Sequence, residues 1–289
     1  MSAGKNITLR PIRPSAALQA RLQRELLRRY AFLKERMEGI ISLFRRYRHA
    51  QEEAGDQAKP IPGFSDAAGQ KEKSVYQLMA EIQKRLKQIR NDFNKAFPDK
   101  DADQLAKEFV QSCGKDVMNR NSLEFNRALK DFTVKVQMTE AKKIILKSAS
   151  HEAAGLIKNL GVRAQTELEG AVNRCLMEGR NIGELTDAIE QVLGVTRRRA
   201  VNLAFDQTNK IEAAMDRQVK LDLGLNKAIW RHHHGWVKTE PRKSHVAADG
   251  REFDLRKGCL IEGEYIFPGQ TKPYCGCFSQ AILKIPGGK

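Results

Sequence analysis

Cys275 and Cys277 stand one residue apart in the segment PYCGCFSQ, residues 273–280, and His245 precedes them by about thirty residues in EPRKSHVAADGREF. Thiolate and imidazole are ligands for borderline metals, and a thiol beside an imidazole can also serve as a nucleophile with its base. With Cys259 added, the set His245, Cys259, Cys275 and Cys277 reaches the four ligands of tetrahedral zinc, and His232, His233 and His234 are available recruits. The spacing argues less than the count. A paired CxxC knuckle would specify zinc, whereas alternate residues of an extended strand share a face without any metal. On these residues zinc and thiols packed in a small core are both open.

Catalysis needs more than a pair. His245 can be matched with Cys275 or Cys277, or with Asp249 or Glu240, but such pairings arise by chance in chains of this length. No Gly-rich phosphate loop, HExxH or GxSxG occurs in the sequence. No residue is assigned a catalytic role, and the expectation is a protein that is not an enzyme. The alternative is a metal-dependent nuclease or hydrolase using His245. The HHH run at 232–234, between Trp230 and Trp236, reads as a polar hairpin tip with aromatic anchors. Asp249-Gly250 favours a tight hairpin that returns Phe253 to a core. Arg242 can tie this loop to a carboxylate or a backbone carbonyl.

The elements that must position these residues follow from periodicity. After Gly224, the short runs KAIW, REFDL, EYIF and FSQAIL are bounded by Gly, Pro and Asp and suit strands in a small sheet. Before it the pattern is helical. Val75, Leu78, Ile82, Leu86, Ile89, Phe93 and Phe97 form one stripe that stops at Pro98. Ser122 and Thr139 can cap further helices, Gly179 and Gly183 bracket a turn, and Gly194 can end a helix in the left-handed region before Thr196 caps the next. The expected fold is α+β: a mainly α-helical body with a long basic N-terminal helix and a small β-rich C-terminal module. The expected divisions are a basic helical arm at 1–58, a Pro/Gly linker at 59–70, a helical domain at 71–225 and the β-rich module at 226–289.

The N-terminal helix carries most of the charge argument. The chain has 289 residues and a formal net charge of +16, and residues 1–50 hold twelve Lys or Arg against three Glu, a net +9. Leu18, Leu22, Leu26, Tyr30, Leu33, Met37, Ile40, Phe44 and Tyr47 make an apolar stripe of eight or nine turns. Arg21, Arg24, Arg28, Arg29, Arg36, Arg45, Arg46 and Arg48 occupy much of the remaining surface and are the candidate contacts to a partner or to DNA. Three readings stand: a helix packed on its own protein, one docked on an acidic partner, or one gripping double-stranded DNA through phosphates. The spacing of Tyr30, Phe32, Phe44 and Tyr47 favours core packing over stacking on bases.

No run of about eighteen apolar residues exists, so no membrane segment is expected, and the N-terminus lacks the apolar core of a secretory signal. The five cysteines form no regular even-numbered framework, so reduced thiols in a protein made in a cytoplasm are expected.

The order of motifs resembles the Mu F-like head morphogenesis family, the minor head proteins of tailed bacteriophages. The residues that carry the resemblance are RRRAVNLAFDQTNK at 197–210, Gly224, AIW at 228–230, PRKSHVAADGREF at 241–253, FPG at 267–269 and CGC at 275–277. Gly276 stands where the family commonly has Arg. The resemblance implies a minor capsid protein of the virion, at the capsid interior or portal vertex, associated with head assembly, DNA packaging or ejection. Portal protein and capsid or scaffolding protein are the implied partners. It also makes Trp230, Arg242, His245, Gly250, Phe253, Pro268, Gly269, Cys275 and Cys277 fixed points of the C-terminal module, with a structural role. No cofactor is implied, zinc remaining open from the residues alone.

Overall fold

The computed structural model describes residues 5–53, 69–130, 132–178, 182–233 and 240–285. The protein is α+β and mainly helical. Strand β1 (Lys5–Thr8) precedes five long helices: α1 (Ala16–Glu53), α2 (Gly69–Ala96), α3 (Asp99–Ala128), α4 (Glu140–Met177) and α5 (Ile182–Asp222). The C-terminal module follows as β2 (Lys227–Arg231), the short α6 (Lys243–Ala247), β3 (Glu252–Asp254), β4 (Cys259–Ile261), β5 (Glu264–Ile266) and β6 (Phe278–Ile285). No helix among the described residues is long and apolar enough to cross a membrane.

By contacts the chain divides into two compact units that do not follow the linear order expected from the sequence. One comprises residues 24–102 and 155–201, and the other residues 1–23, 103–154 and 202–289. Helices α1, α4 and α5 each contribute to both.

The first unit is helical throughout. Leu33, Met37, Ile40 and Phe44 of α1 share one core with Leu78, Ile82, Leu86, Ile89 and Phe93 of α2, Leu168 and Val172 of α4, and Leu185, Ile189 and Leu193 of α5. The stripes recur every three or four residues, so each helix turns one continuous face inward. Phe32, Phe93 and Phe97 meet in edge-on and tilted pairs with centroids 5.0–5.9 Å apart. A side chain at Gly161 would meet the Phe93 ring at 2.8 Å, so α4 approaches α2 closely only because that position is bare.

In the second unit the sheet has the order β1-β6-β2-β3, all antiparallel, beside the β4-β5 hairpin. Trp230, Phe253, Leu255, Ile261, Ile266 and Ala281 fill its core together with Leu9, Phe125 and Leu225. The C-terminal half of α5 carries a buried polar row that fastens this module. Lys220 pairs with Asp216 and donates to the backbone carbonyl and hydroxyl of Ser279 on β6, while Asn121 of α3 donates to Asp216. Glu212 accepts two contacts from the Ser15 backbone N–H and one from Arg120. The buried Lys142 pairs with Asp222 and holds the start of α4 to the end of α5.

Several boundaries differ from expectation. Ser122 lies inside α3, with its hydroxyl donating to the Met118 carbonyl, so it starts no helix. Thr139 does immediately precede α4, although its hydroxyl donates to Asp222. Gly194 is interior to α5, which runs on through Thr196 to Asp222. A helical glycine costs roughly 1 kcal/mol relative to alanine, a deficit that the burial of Leu185, Ile189 and Leu193 outweighs. The helix ends at Gly224, whose φ of +77° is the left-handed conformation that glycine adopts freely. Of the expected linker, residues 59–68 lie outside the described residues and Gly69 and Gln70 are in α2.

Candidate metal centre

The centre is built where three segments of the second unit meet. The first is the end of β2. Trp230 donates its backbone N–H to the Arg251 carbonyl and accepts from the Gly250 N–H, which fixes the strand against the return of the chain. This connection is not the tight hairpin expected from DGREF, because α6 is inserted between β2 and β3. Gly250, at φ +82°, turns the chain after α6, and Phe253 is buried as expected.

The second segment is α6, which presents His245 inward. His245 is 3 % exposed, and its ring stands edge-on to the fully buried Trp230, centroids 5.2 Å apart at 85°. Arg242, just before α6, donates to the carbonyl of Pro273 at 3.0 Å and so ties this turn to the cysteine loop.

The third segment is the loop from Phe267 to Cys277. Pro268 and Gly269 are buried at its start. Gly269 has φ +73°, and a Cβ there would lie 2.9 Å from both the Cys277 carbonyl oxygen and the Ala213 Cβ. Only glycine meets both demands. Tyr274 also holds a positive φ, 55°, and its N–H donates to Asp206 of α5 at 2.6 Å. Lys210, one turn on, pairs with Asp206 at 3.2 Å.

These supports bring His245, Cys275 and Cys277 together, all buried, with their ligand atoms within 4.8 Å of one another. His245 Nδ1 lies 3.4 Å from Cys275 Sγ and 3.8 Å from Cys277 Sγ. His232, at the end of β2, places Nδ1 3.5 Å from Cys277 Sγ, and its backbone N–H donates to Asp249. A hydrogen bond from Cys277 holds the Cys275 thiol well below the usual thiol range, against desolvation by burial, with further lowering from His245 and the Gly269 and Cys277 N–H groups. Cys277 is pushed up by that same hydrogen bond, by burial and by the charge on Cys275. A metal cation bound here would stabilise both sulfurs as thiolates.

Cys259, counted as a ligand in the sequence, is not in this cluster. It sits opposite Ile266 in the β4-β5 hairpin, and burial raises its thiol pKa, as for an ordinary core thiol. His234 lies outside the described residues. Sequence reasoning gave Asp206 no role, although it positions the cysteine loop. The available signal was the opposite charge of Lys210 four residues on, in a helix where so many polar residues are interior.

The arginines of α1 are dispersed. Arg29 is buried, with its guanidinium 4.8 Å over the Phe97 ring, and Arg36 covers Phe32 at 4.5 Å. Arg21 approaches Glu108 and Arg28 pairs with Glu25. Arg24, Arg45 and Arg46 are exposed, and the Arg48 side chain lies outside those described. A basic concavity lies elsewhere. A cleft of about 800 Å³ between α3 and the first half of α4 is rimmed by Lys107, Lys115, Lys143 and Lys147, with Met118, Leu146 and Ala154 in its floor.

Comparisons with known proteins are sparse. No family model matches the chain, and no solved structure matches it. A protein of Haemophilus influenzae described only as uncharacterized is 26% identical over 99 residues, which is 34% of this chain. The match spans about a fifth of that protein's length, 22%.

Proposed function

We propose that this chain is a minor head protein of a tailed bacteriophage, a structural part of head morphogenesis that sits near the portal vertex. The observation that carries the reading is convergence. Asp206, Trp230, Arg242, His245, Gly269, Cys275 and Cys277 belong to motifs spread over some seventy residues, and each touches or supports the same buried cluster. His245, Cys275 and Cys277 are all buried, which favours a structural role over a nuclease or hydrolase using His245.

The proposed partner is an acidic face of the portal protein. The apolar stripe of α1 is occupied by the chain's own core, so adhesion through that stripe is withdrawn in favour of the lysine-rimmed cleft, whose apolar floor suits a protein segment better than a phosphate backbone. The test is co-purification with the portal protein encoded in the same gene cluster, using the full chain and a Lys143→Glu/Lys147→Glu variant. Recovery with the parent and loss with the variant is expected. No recovery with either would overturn the reading. DNA binding is the second possibility, motivated by the net charge of +16. It would appear as duplex affinity that falls steeply between 50 and 200 mM salt, by roughly 10³-fold or more if six or more phosphates are contacted.

A further inference from the structure

We propose that His232, His245, Cys275 and Cys277 form a closed four-coordinate zinc site that fastens the C-terminal module. The inference goes beyond the assignment as a head protein and does not depend on it.

The distances carry the argument. Zinc–sulfur and zinc–nitrogen bonds of about 2.3 and 2.0–2.1 Å at tetrahedral angles place neighbouring N and S ligand atoms about 3.6 Å apart. His245 Nδ1 lies 3.4 and 3.8 Å from the two sulfurs, in a group of three whose ligand atoms all lie within 4.8 Å of one another; His232 stands outside that group and reaches Cys277 alone, at 3.5 Å. Packing alone does not demand this, because thiol and imidazole groups in a core touch at any edge. Here each sulfur meets an imidazole through Nδ1, and His245 Nδ1 faces both sulfurs.

The surroundings of the sulfurs form a second argument, independent of the first. The Trp230 indole N–H is buried without a hydrogen-bond partner among the described residues, and its ring stands edge-on to His245. A buried donor left unpartnered in the wall of the cluster is better matched to metal-bound thiolates than to neutral thiols.

Ligand chemistry selects the ion. Two thiolates with two imidazoles suit zinc and are wrong for magnesium or calcium. Filling the fourth position with His232 leaves none for a reacting water, so the site is structural. The ligands come from the end of β2, from α6 and from the loop before β6, and one ion cross-links all three.

The test is metal content of the full chain, purified without chelators, followed by replacement of the metal with cobalt(II). About one equivalent of zinc is expected, with a cobalt spectrum showing tetrahedral bands and thiolate charge transfer. Cys259→Ala should keep both, and Cys275→Ser should lose the metal. Because the serine variant can also fail to fold, His232→Ala is the sharper arm. It should stay folded, bind zinc at least 10-fold more weakly and change the cobalt spectrum as one nitrogen leaves. Less than about one-tenth of an equivalent in the full chain would overturn the site. An unchanged spectrum and affinity in His232→Ala would overturn the fourth ligand.

Discussion

Gly269, six residues before Cys275, and Gly276, between the two cysteines, face opposite demands. At Gly269 the backbone is left-handed and an added Cβ would press on the Cys277 carbonyl, whereas at Gly276 the nearest atoms to a Cβ, in Phe205 and His233, lie at 3.5–3.6 Å. Gly269→Ala is therefore expected to destabilise the protein by about 1–3 kcal/mol, and Gly276→Ala by less than about 0.5 kcal/mol. Urea unfolding of the two variants checks this, and equal midpoints would contradict it. An arginine at position 276 would meet no steric bar at its first carbon. At this scale the sequence was informative wherever chemistry is local. The His245 and cysteine pairing and the reach of Arg242 to a backbone carbonyl were both legible. That Cys259 faces a different part of the core was not, because strand pairing with Ile266 decides it.

Among the elements, α5 carries a buried carboxyl whose pKa is raised. Glu212 is buried on it and accepts from Ser15 and Arg120, yet burial outweighs the arginine and raises its pKa to about 7. The unfolded value is near 4.5, so the folded state binds the proton more tightly. Its stabilising contribution is full below pH 4.5 and is lost as pH rises through 7, by on the order of 3 kcal/mol. Urea unfolding at pH 5 and pH 8 should show that decline, and Glu212→Gln should flatten it. An unchanged slope in the variant would mean that another group is responsible. Long helices were legible from their stripes, and so were most strands. The continuation of α5 through Gly194 was not, since a helical glycine and a capping glycine look alike in sequence. Strand β1 was also hidden, because its four residues gain their place only by pairing with β6.

At the scale of the whole molecule the basic N-terminus is part of a fold before it is an adhesive. Leu33, Met37, Ile40 and Phe44 line the core of the helical unit, so removing residues 1–58 would expose that core and unfold the unit. The informative change is at the surface. Arg24→Glu/Arg45→Glu/Arg46→Glu alters exposed groups, and is expected to shift stability by less than about 0.5 kcal/mol per site while weakening any salt-dependent attachment to a polyanion. Thermal unfolding and binding at two salt concentrations separate the two effects. A large loss of stability in the triple variant would contradict the placement of these side chains. The interleaving of residues 1–23, 103–154 and 202–289 into one unit was beyond the sequence, because periodicity identifies a buried face without naming what covers it.

The central claim is that a metal held by His232, His245, Cys275 and Cys277 fastens the C-terminal module. Hydrogen exchange of the full chain before and after treatment with a zinc chelator tests it most directly. Protection is expected to collapse at the amides of β2, β3 and β6 while the helical unit around Leu33, Ile82 and Leu168 keeps its own. Unchanged protection across residues 227–285 after complete chelation would contradict it.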